Sequence, residues 1–163
     1  MTDHLAAEIG VRRLHALCAD AVWRRDPDAF SQCYTEDGEW KIVGLHVRGR
    51  EAIGQTLTEL GSGNSHVMMT FGSPILDISD DRVSGRTYVT ERAKLLDGSS
   101  AMSIGIYYER FVEVDGEWLF RWRHFDFCYW GPLDLSGEFY PQQDYGPSPA
   151  FPGDDQATAG LQL

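Results

Sequence analysis

Glu91 stands where a strand would turn apolar side chains inward. Val83, Gly85, Thr87, Val89, Glu91, Ala93 and Leu95 share one face of residues 83–95, and Arg86, Tyr88, Thr90, Arg92 and Lys94 share the other. A period of two with one polar face predicts a half-buried antiparallel strand. A carboxylate on the inner face must be paired, shifted in pKa or functional. Pairing would fall to Arg86 or Arg110 at the sheet edge. His124 and Asp126 end a second run of this kind, because Trp118, Phe120 and Trp122 share a face that continues into them. The bland reading of that pair is a strand end emerging into solvent. Two strands that pass from an apolar end to an ionisable end predict a pocket at the mouth of a curved sheet, with acid–base groups lining it.

The strand at 101–113 supplies the space. Ala101, Ser103 and Gly105 leave room on one face, which continues into Tyr107 and Glu109. Met102, Ile104, Ile106 and Tyr108 form the other face, an apolar run that predicts a partner subunit and most simply a two-fold homodimer. Trp23, Tyr34, Trp40, Trp122 and Trp130 are candidates for an aromatic lining, although aromatic stripes more often build core.

The elements that position these residues read clearly. A first helix over about Leu5 to Arg25 gathers Val11, Leu14, His15, Cys18 and Val22 on one side, with Asp20 and Arg24 as a solvent pair. Asp26-Pro27 predicts a break and a new N-cap. A short second helix follows, then a strand around Trp40 to Val43, then a third helix carrying Ile53, Leu57 and Leu60. From His66 onward the chain is sheet, punctuated by Asp80-Asp81, Asp97-Gly98 and Asp115-Gly116. The order predicts one α+β domain over 1–132, with three helices packed on a strongly curved antiparallel sheet. A Pro- and Gly-rich tail, 133–163, partly wraps it as far as about Phe151 through Phe139, Tyr140 and Tyr145.

Composition narrows the partners. The formal charge is −11 and hydrophobic residues make up 42% of 163 positions. An acidic chain without a basic patch disfavours nucleic acid and anionic lipid, which leaves small molecules or proteins. Cys18, Cys33 and Cys128 form no Cys-x-x-Cys, which fits a reducing cytoplasm. Met1–Gly10 does not read as a signal peptide, and no stretch is long and apolar enough to span a bilayer. His46, His66 and His124 with Glu91 or Glu109 lack metal-ligand spacing, and no nucleophile elbow or phosphate loop occurs.

Three pieces carry a resemblance: Tyr34-Thr35-Glu36-Asp37-Gly38-Glu39-Trp40, Arg48-Gly49-Arg50-Glu51-Ala52-Ile53 and Val114-Asp115-Gly116-Glu117-Trp118. Their order and spacing over about residues 8–132 resemble the nuclear-transport-factor-2-like superfamily and, within it, the SnoaL-like group. Asp115 to Pro132 is most similar to the hexachlorocyclohexane dehydrochlorinases, with scytalone and bile-acid dehydratases further off. The resemblance implies a cone of three helices and a curved sheet, and a cofactor-independent lyase. In those relatives a histidine on the first strand after the third helix is the base, which His66 matches, with Met68 an equally good match two residues on. They orient it with an aspartate late in the first helix. Trp23 occupies that position here, so the usual dyad is missing.

The expectation is a lyase working by acid–base chemistry on a small, mostly apolar, aromatic substrate, without metal or cofactor. Elimination of water or halide fits, as does retro-aldol cleavage. His66, Glu91 and His124 are the candidate catalytic groups, with Glu91 expected to act as a unit with His66. Trp23, Tyr34, Trp40, Tyr107, Glu109, Trp122 and Asp126 are the candidate substrate contacts. An isomerase or cyclase is chemically adjacent, and a non-catalytic binding or interaction module is the alternative from another class.

Overall fold

The computed structural model describes residues 3–79 and 82–141. The expected turn at Asp80-Asp81, the anchor Tyr145 and the expected limit of the wrapping tail at Phe151 lie outside the described residues. Helix α1 spans His4–Arg24, capped by Asp3, whose carboxylate accepts from Leu5 and Ala6 N–H. Its buried stripe is Ala7, Val11, Leu14, His15, Cys18, Ala21 and Val22, the spacing of one helical face. Arg25 ends the helix in the left-handed region at φ 55°. Asp26 then caps α2, Pro27–Gln32, with Pro27 in the first turn, as the break-and-restart reading predicts. Helix α3 is Arg50–Leu60.

The strands are β1 Tyr34–Ile42, β2 Leu45–Arg48, β3 Asn64–Phe71, β4 Ile75–Ile78, β5 Val83–Leu95, β6 Ser100–Val114, β7 Glu117–Gly131 and β8 Glu138–Phe139. They form one sheet in the order β2-β1-β7-β6-β5-β3, with β4 on β5 and β8 on β7. β1 runs parallel to β7, so the sheet is mixed, a correction to the all-antiparallel expectation. The reason is topological. β1 reaches β7 across the whole meander, and no hairpin links the two. Asp115 and Gly116 both have positive φ, 52° and 83°, between β6 and β7. A type I′ hairpin turn needs that at both positions.

The core lies between the helices and the inner sheet face, where α1 packs on β3 and β7. β5 behaves as its alternation predicts. Val83 and Val89 enter the core, while Tyr88 on the opposite face is 47% exposed. β7 does not. Arg110 pairs with Trp122 but Phe111 pairs with Phe120, so Arg121 is an extra residue in a bulge. Its guanidinium is held by Asp37, at 2.6 Å from the backbone oxygen and 2.8 Å from the carboxylate. A one-residue insertion reverses the facing of every side chain beyond it. Trp118 and Phe120 therefore point into the core, and beyond the bulge Arg123, Phe125 and Phe127 do. Trp122, His124 and Asp126 face the other way, a correction to the expected shared face. On that outer face Ile106, Tyr108, Trp122 and Cys128 form a second small apolar cluster. Met102, Ile106 and Tyr108 are already buried within the single chain. The motive for expecting a homodimer there is correspondingly smaller.

Among the described residues, no helix is long and apolar enough to cross a membrane.

Candidate active site

A cavity of about 470 Å³ opens between the C-terminal end of α1, α2, the α3–β3 loop and the inner sheet face. Its wall is mostly apolar, built by Phe30, Trp40, Met69, Phe125, Phe127 and Trp130. Ala101 and Ser103 line it too, so the small-residue face of β6 leaves space as the sequence implies. Gly105 is used differently. A Cβ there would collide with Phe125 Cζ, so the Phe125 ring fills the place a side chain would take.

Glu91 is the acid on the sheet side of this wall; Glu59, near the end of α3, also borders the cavity. Glu91 sits opposite Met69 on β3 and Ser103 on β6, half-buried. The Ser103 hydroxyl donates to its Oε2 at 3.4 Å, a long and weak bond. Among the described residues no ion pair reaches it; Arg86 and Arg110, the partners the sequence offered, stand on the opposite sheet face. Burial raises its carboxyl above the usual range, offset in part by the Ser103 bond and the Arg123 charge. Such a group holds its proton more firmly than an ordinary glutamate does.

His66 also borders the cavity, but from the mouth, where it is exposed. On β3 it is Val67, Met69 and Phe71 that face inward; His66, Met68 and Thr70 belong to the other parity. The two-residue choice between His66 and Met68 therefore lands on the outward face either way. His66 reaches the mouth because β3 is an edge strand beside the end of α1. Its Nδ1 lies 3.3 Å from Ser65 Oγ, and its ring centroid is 6.0 Å from that of Trp23. The imidazole bonds to Ser65, and no hydrogen bond joins it to Glu91 among the described residues. Trp23 is 54% exposed. Arg25 shapes the same rim: its guanidinium donates to the backbone oxygens of Gly61, Asn64 and Ser65 at 3.2, 2.7 and 3.3 Å.

Of the sequence candidates, the cavity brings together Glu91, His66, Trp40 and Trp130. Tyr34, Tyr107 and Glu109 lie deeper, and His124, Asp126 and Trp122 lie on the outer sheet face. His124 and Asp126 are nonetheless fully buried, not at a strand end emerging into solvent.

Glu109 belongs to a network the sequence reading missed. Arg123 Nε donates to Glu109 Oε1 at 3.0 Å, His15 Nε2 is 2.9 Å from Oε2, and the Thr87 hydroxyl donates to Oε2 at 2.8 Å. Arg123 also donates to the Tyr34 hydroxyl at 3.3 Å and to Cys18 Sγ at 3.5 Å, and its guanidinium lies 3.6 Å over the Tyr107 ring. Burial by itself would raise the Glu109 carboxyl, but the pull of His15 and Arg123 and the bonds to it win, and it lies below the usual range. Burial likewise lifts the Tyr34 and Tyr107 hydroxyls, against the pull of Arg123. The one available signal was His15 on the apolar stripe of α1, which needed a buried acid to answer it.

A family model described as a SnoaL-like domain matches residues 3–124. The chain belongs to this family. Among curated proteins none matches the sequence. Solved structures share the SnoaL-like fold at low identity. A scytalone-dehydratase-like protein from Novosphingobium aromaticivorans superposes with a TM-score of 0.73 at 17% identity, covering 83% of this chain and 93% of that one. A hexachlorocyclohexane dehydrochlorinase of LinA type 3 from Novosphingobium barchaimii gives 0.71 at 20% identity, over 85% and 97%. Aln2 from a Streptomyces species gives 0.67 at 18% identity, over 77% and 93%. These likenesses bear on the fold.

Proposed function

We propose that the protein is a cofactor-independent lyase that eliminates water or halide from, or cleaves a C–C bond in, a small aromatic substrate. The observation that carries this reading is Glu91, a half-buried carboxyl in a mostly apolar wall, which burial pushes above the usual carboxylate range. As carboxylate it removes a proton; as acid it returns one to the leaving group. Proton transfer of this kind contributes about 10²–10⁴-fold, and bound substrate covered by the mostly apolar wall adds to it by displacing water. His66 at the mouth serves as a proton carrier to solvent. The dehydratase and dehydrochlorinase among the structural neighbours support the same class of chemistry. A ligand-binding role without turnover is the second reading, favoured by the lack of a bond between His66 and Glu91.

The test is a panel of aryl β-hydroxy ketones, aryl β-chloro ketones, β-chloroethyl arenes and aromatic aldols, followed by mass spectrometry for loss of water, chloride or aldehyde. Turnover by the wild-type protein, reduced at least a hundredfold by Glu91→Gln with binding retained, supports the lyase. Binding without any product supports the second reading, and equal turnover by Glu91→Gln removes Glu91 from the chemistry.

A further inference from the structure

Two buried hydrogen-bond donors stand unsatisfied, one in the inner wall of the cavity and one behind it. Trp40 is 3% exposed and its indole nitrogen has no partner; Tyr107 is 0% exposed and its hydroxyl has none. The Trp40 N–H lies toward the Tyr107 oxygen without reaching hydrogen-bond geometry. Trp40 borders the cavity itself. A fold rarely leaves such groups unpaired, because each then forfeits its bonds to water without replacement. Behind them the Arg123 guanidinium lies 3.6 Å over the Tyr107 ring. A fixed positive charge there makes the phenol a stronger donor and favours negative charge on whatever it holds.

We propose that the Trp40 indole N–H and the Tyr107 hydroxyl form the subsite for a carbonyl oxygen of the substrate, conjugated to an aromatic ring. This rests on the reading of the Glu91 cavity as the site of an aromatic substrate, and it names the group that substrate must carry. Tyr107 does not border the empty cavity, so Trp40 makes the first contact, and a small turn of the indole brings the oxygen to the hydroxyl. The chemistry then balances. Glu91 carboxylate takes a proton from the carbon next to the carbonyl, and the C–H electron pair moves onto the carbonyl oxygen as an enolate held by the two donors. The pair returns as the C=C bond forms, the bond to a β-hydroxyl breaks, and the departing oxygen takes the proton from Glu91 as water. Glu91 is restored. Substrates with no acceptor oxygen, such as chlorinated hydrocarbons, are ranked below oxygenated ones.

The probes are 2-acetylnaphthalene and its carbonyl-free counterpart 2-ethylnaphthalene, followed by calorimetry and by the indole N–H resonances of the five tryptophans. The Trp40 resonance is the one lost in Trp40→Phe. It should move downfield with the ketone and not with the hydrocarbon. Trp40→Phe and Tyr107→Phe should each lower the ratio of ketone to hydrocarbon affinity roughly five- to tenfold, the worth of one neutral hydrogen bond. Tyr107→Phe removes an unpaired hydroxyl, so the free protein should melt no lower; it decides the matter if Trp40→Phe fails to fold. Equal binding and equal shifts for the two naphthalenes would overturn the oxygen subsite and leave the aromatic cavity standing. A Trp40 resonance already downfield in the free protein and unmoved by ketone would assign the donors to a buried water, also overturning it. Saturation by neither compound up to its solubility would remove both the subsite and the reading beneath it.

Discussion

Glu109 and Arg123 face each other across β6 and β7 at 3.0 Å, both fully buried. The carboxylate is further answered by His15 and Thr87. The charge inside the core is therefore matched at Glu109, while Glu91, one layer nearer the cavity, is left with a single long bond from Ser103. Two glutamates on neighbouring strands of one sheet face are pushed in opposite directions, one held ionised and one held toward its acid form. Environments that separate two such groups are a common way of assigning structural and chemical roles.

Glu109→Gln should destabilise the protein by about 3–5 kcal/mol, because it leaves the Arg123 charge buried without its partner. Urea denaturation at neutral pH measures it. The Glu109 carboxyl is lowered in the fold, so its contribution is present above the unfolded value of about 4.3 and is lost as pH falls through the folded one. The gap between wild type and variant should close on acidification. A gap independent of pH would show that the ion pair is not its source.

Glu91→Gln should stabilise the protein at neutral pH. The folded carboxyl is raised, so between the unfolded and folded values the native state binds more protons than the unfolded state. Stability then falls as pH rises through that window. Glutamine has no such dependence, so the variant's advantage should grow from about pH 4 upward and vanish below it. Thermal melts across pH 3–8 test this. In any turnover assay the acidic limb set by Glu91 as base should lie above the ordinary carboxylate range.

His66→Ala should cost far less activity than Glu91→Gln, roughly tenfold or less against at least a hundredfold. The imidazole is exposed at the mouth and bonds to Ser65, not to Glu91. The two losses should multiply in the double variant, since groups that do not act as a unit are additive. A double variant no worse than Glu91→Gln would restore a coupled pair.

Arg25→Ala should raise KM more than it lowers kcat. The guanidinium holds three backbone oxygens of the α3–β3 loop, and that loop lines the cavity mouth. Faster amide exchange over residues 61–65, with exchange in β6 and β7 unchanged, is the accompanying signature. Unaltered exchange in the loop would show that the contacts do not hold it.

Gly105→Ala should destabilise by about 1–3 kcal/mol, an overpacking cost, because the new methyl meets the Phe125 ring. Displacing that ring into the cavity should also weaken aromatic ligands. Unchanged stability would mean that Phe125 has room to move elsewhere.

Local rules carried much of this protein. Asp26-Pro27 specified a helix boundary and Asp115-Gly116 a hairpin, because capping and positive φ depend on a few adjacent atoms. The period of two in β5 put Glu91 on the inner face, and that face did open on a cavity. The three motif pieces were enough for the family, because together they mark the turns and edges of one architecture. Other features depended on contacts distant in sequence. The run Trp118, Phe120, Trp122, His124, Asp126 keeps a perfect alternation on paper. The chain breaks it at Arg121, whose side chain is fixed by Asp37, 84 positions earlier. His66 and Met68 alternate correctly with each other, but only the pairing of β3 with β5 decides that Val67 and Met69 are the ones facing in. Arg123 reads as an ordinary surface arginine until that bulge turns it inward onto Glu109 and His15. A strand's period is written in its own residues, whereas its phase is set by the partner strand, and one inserted residue is enough to reverse it.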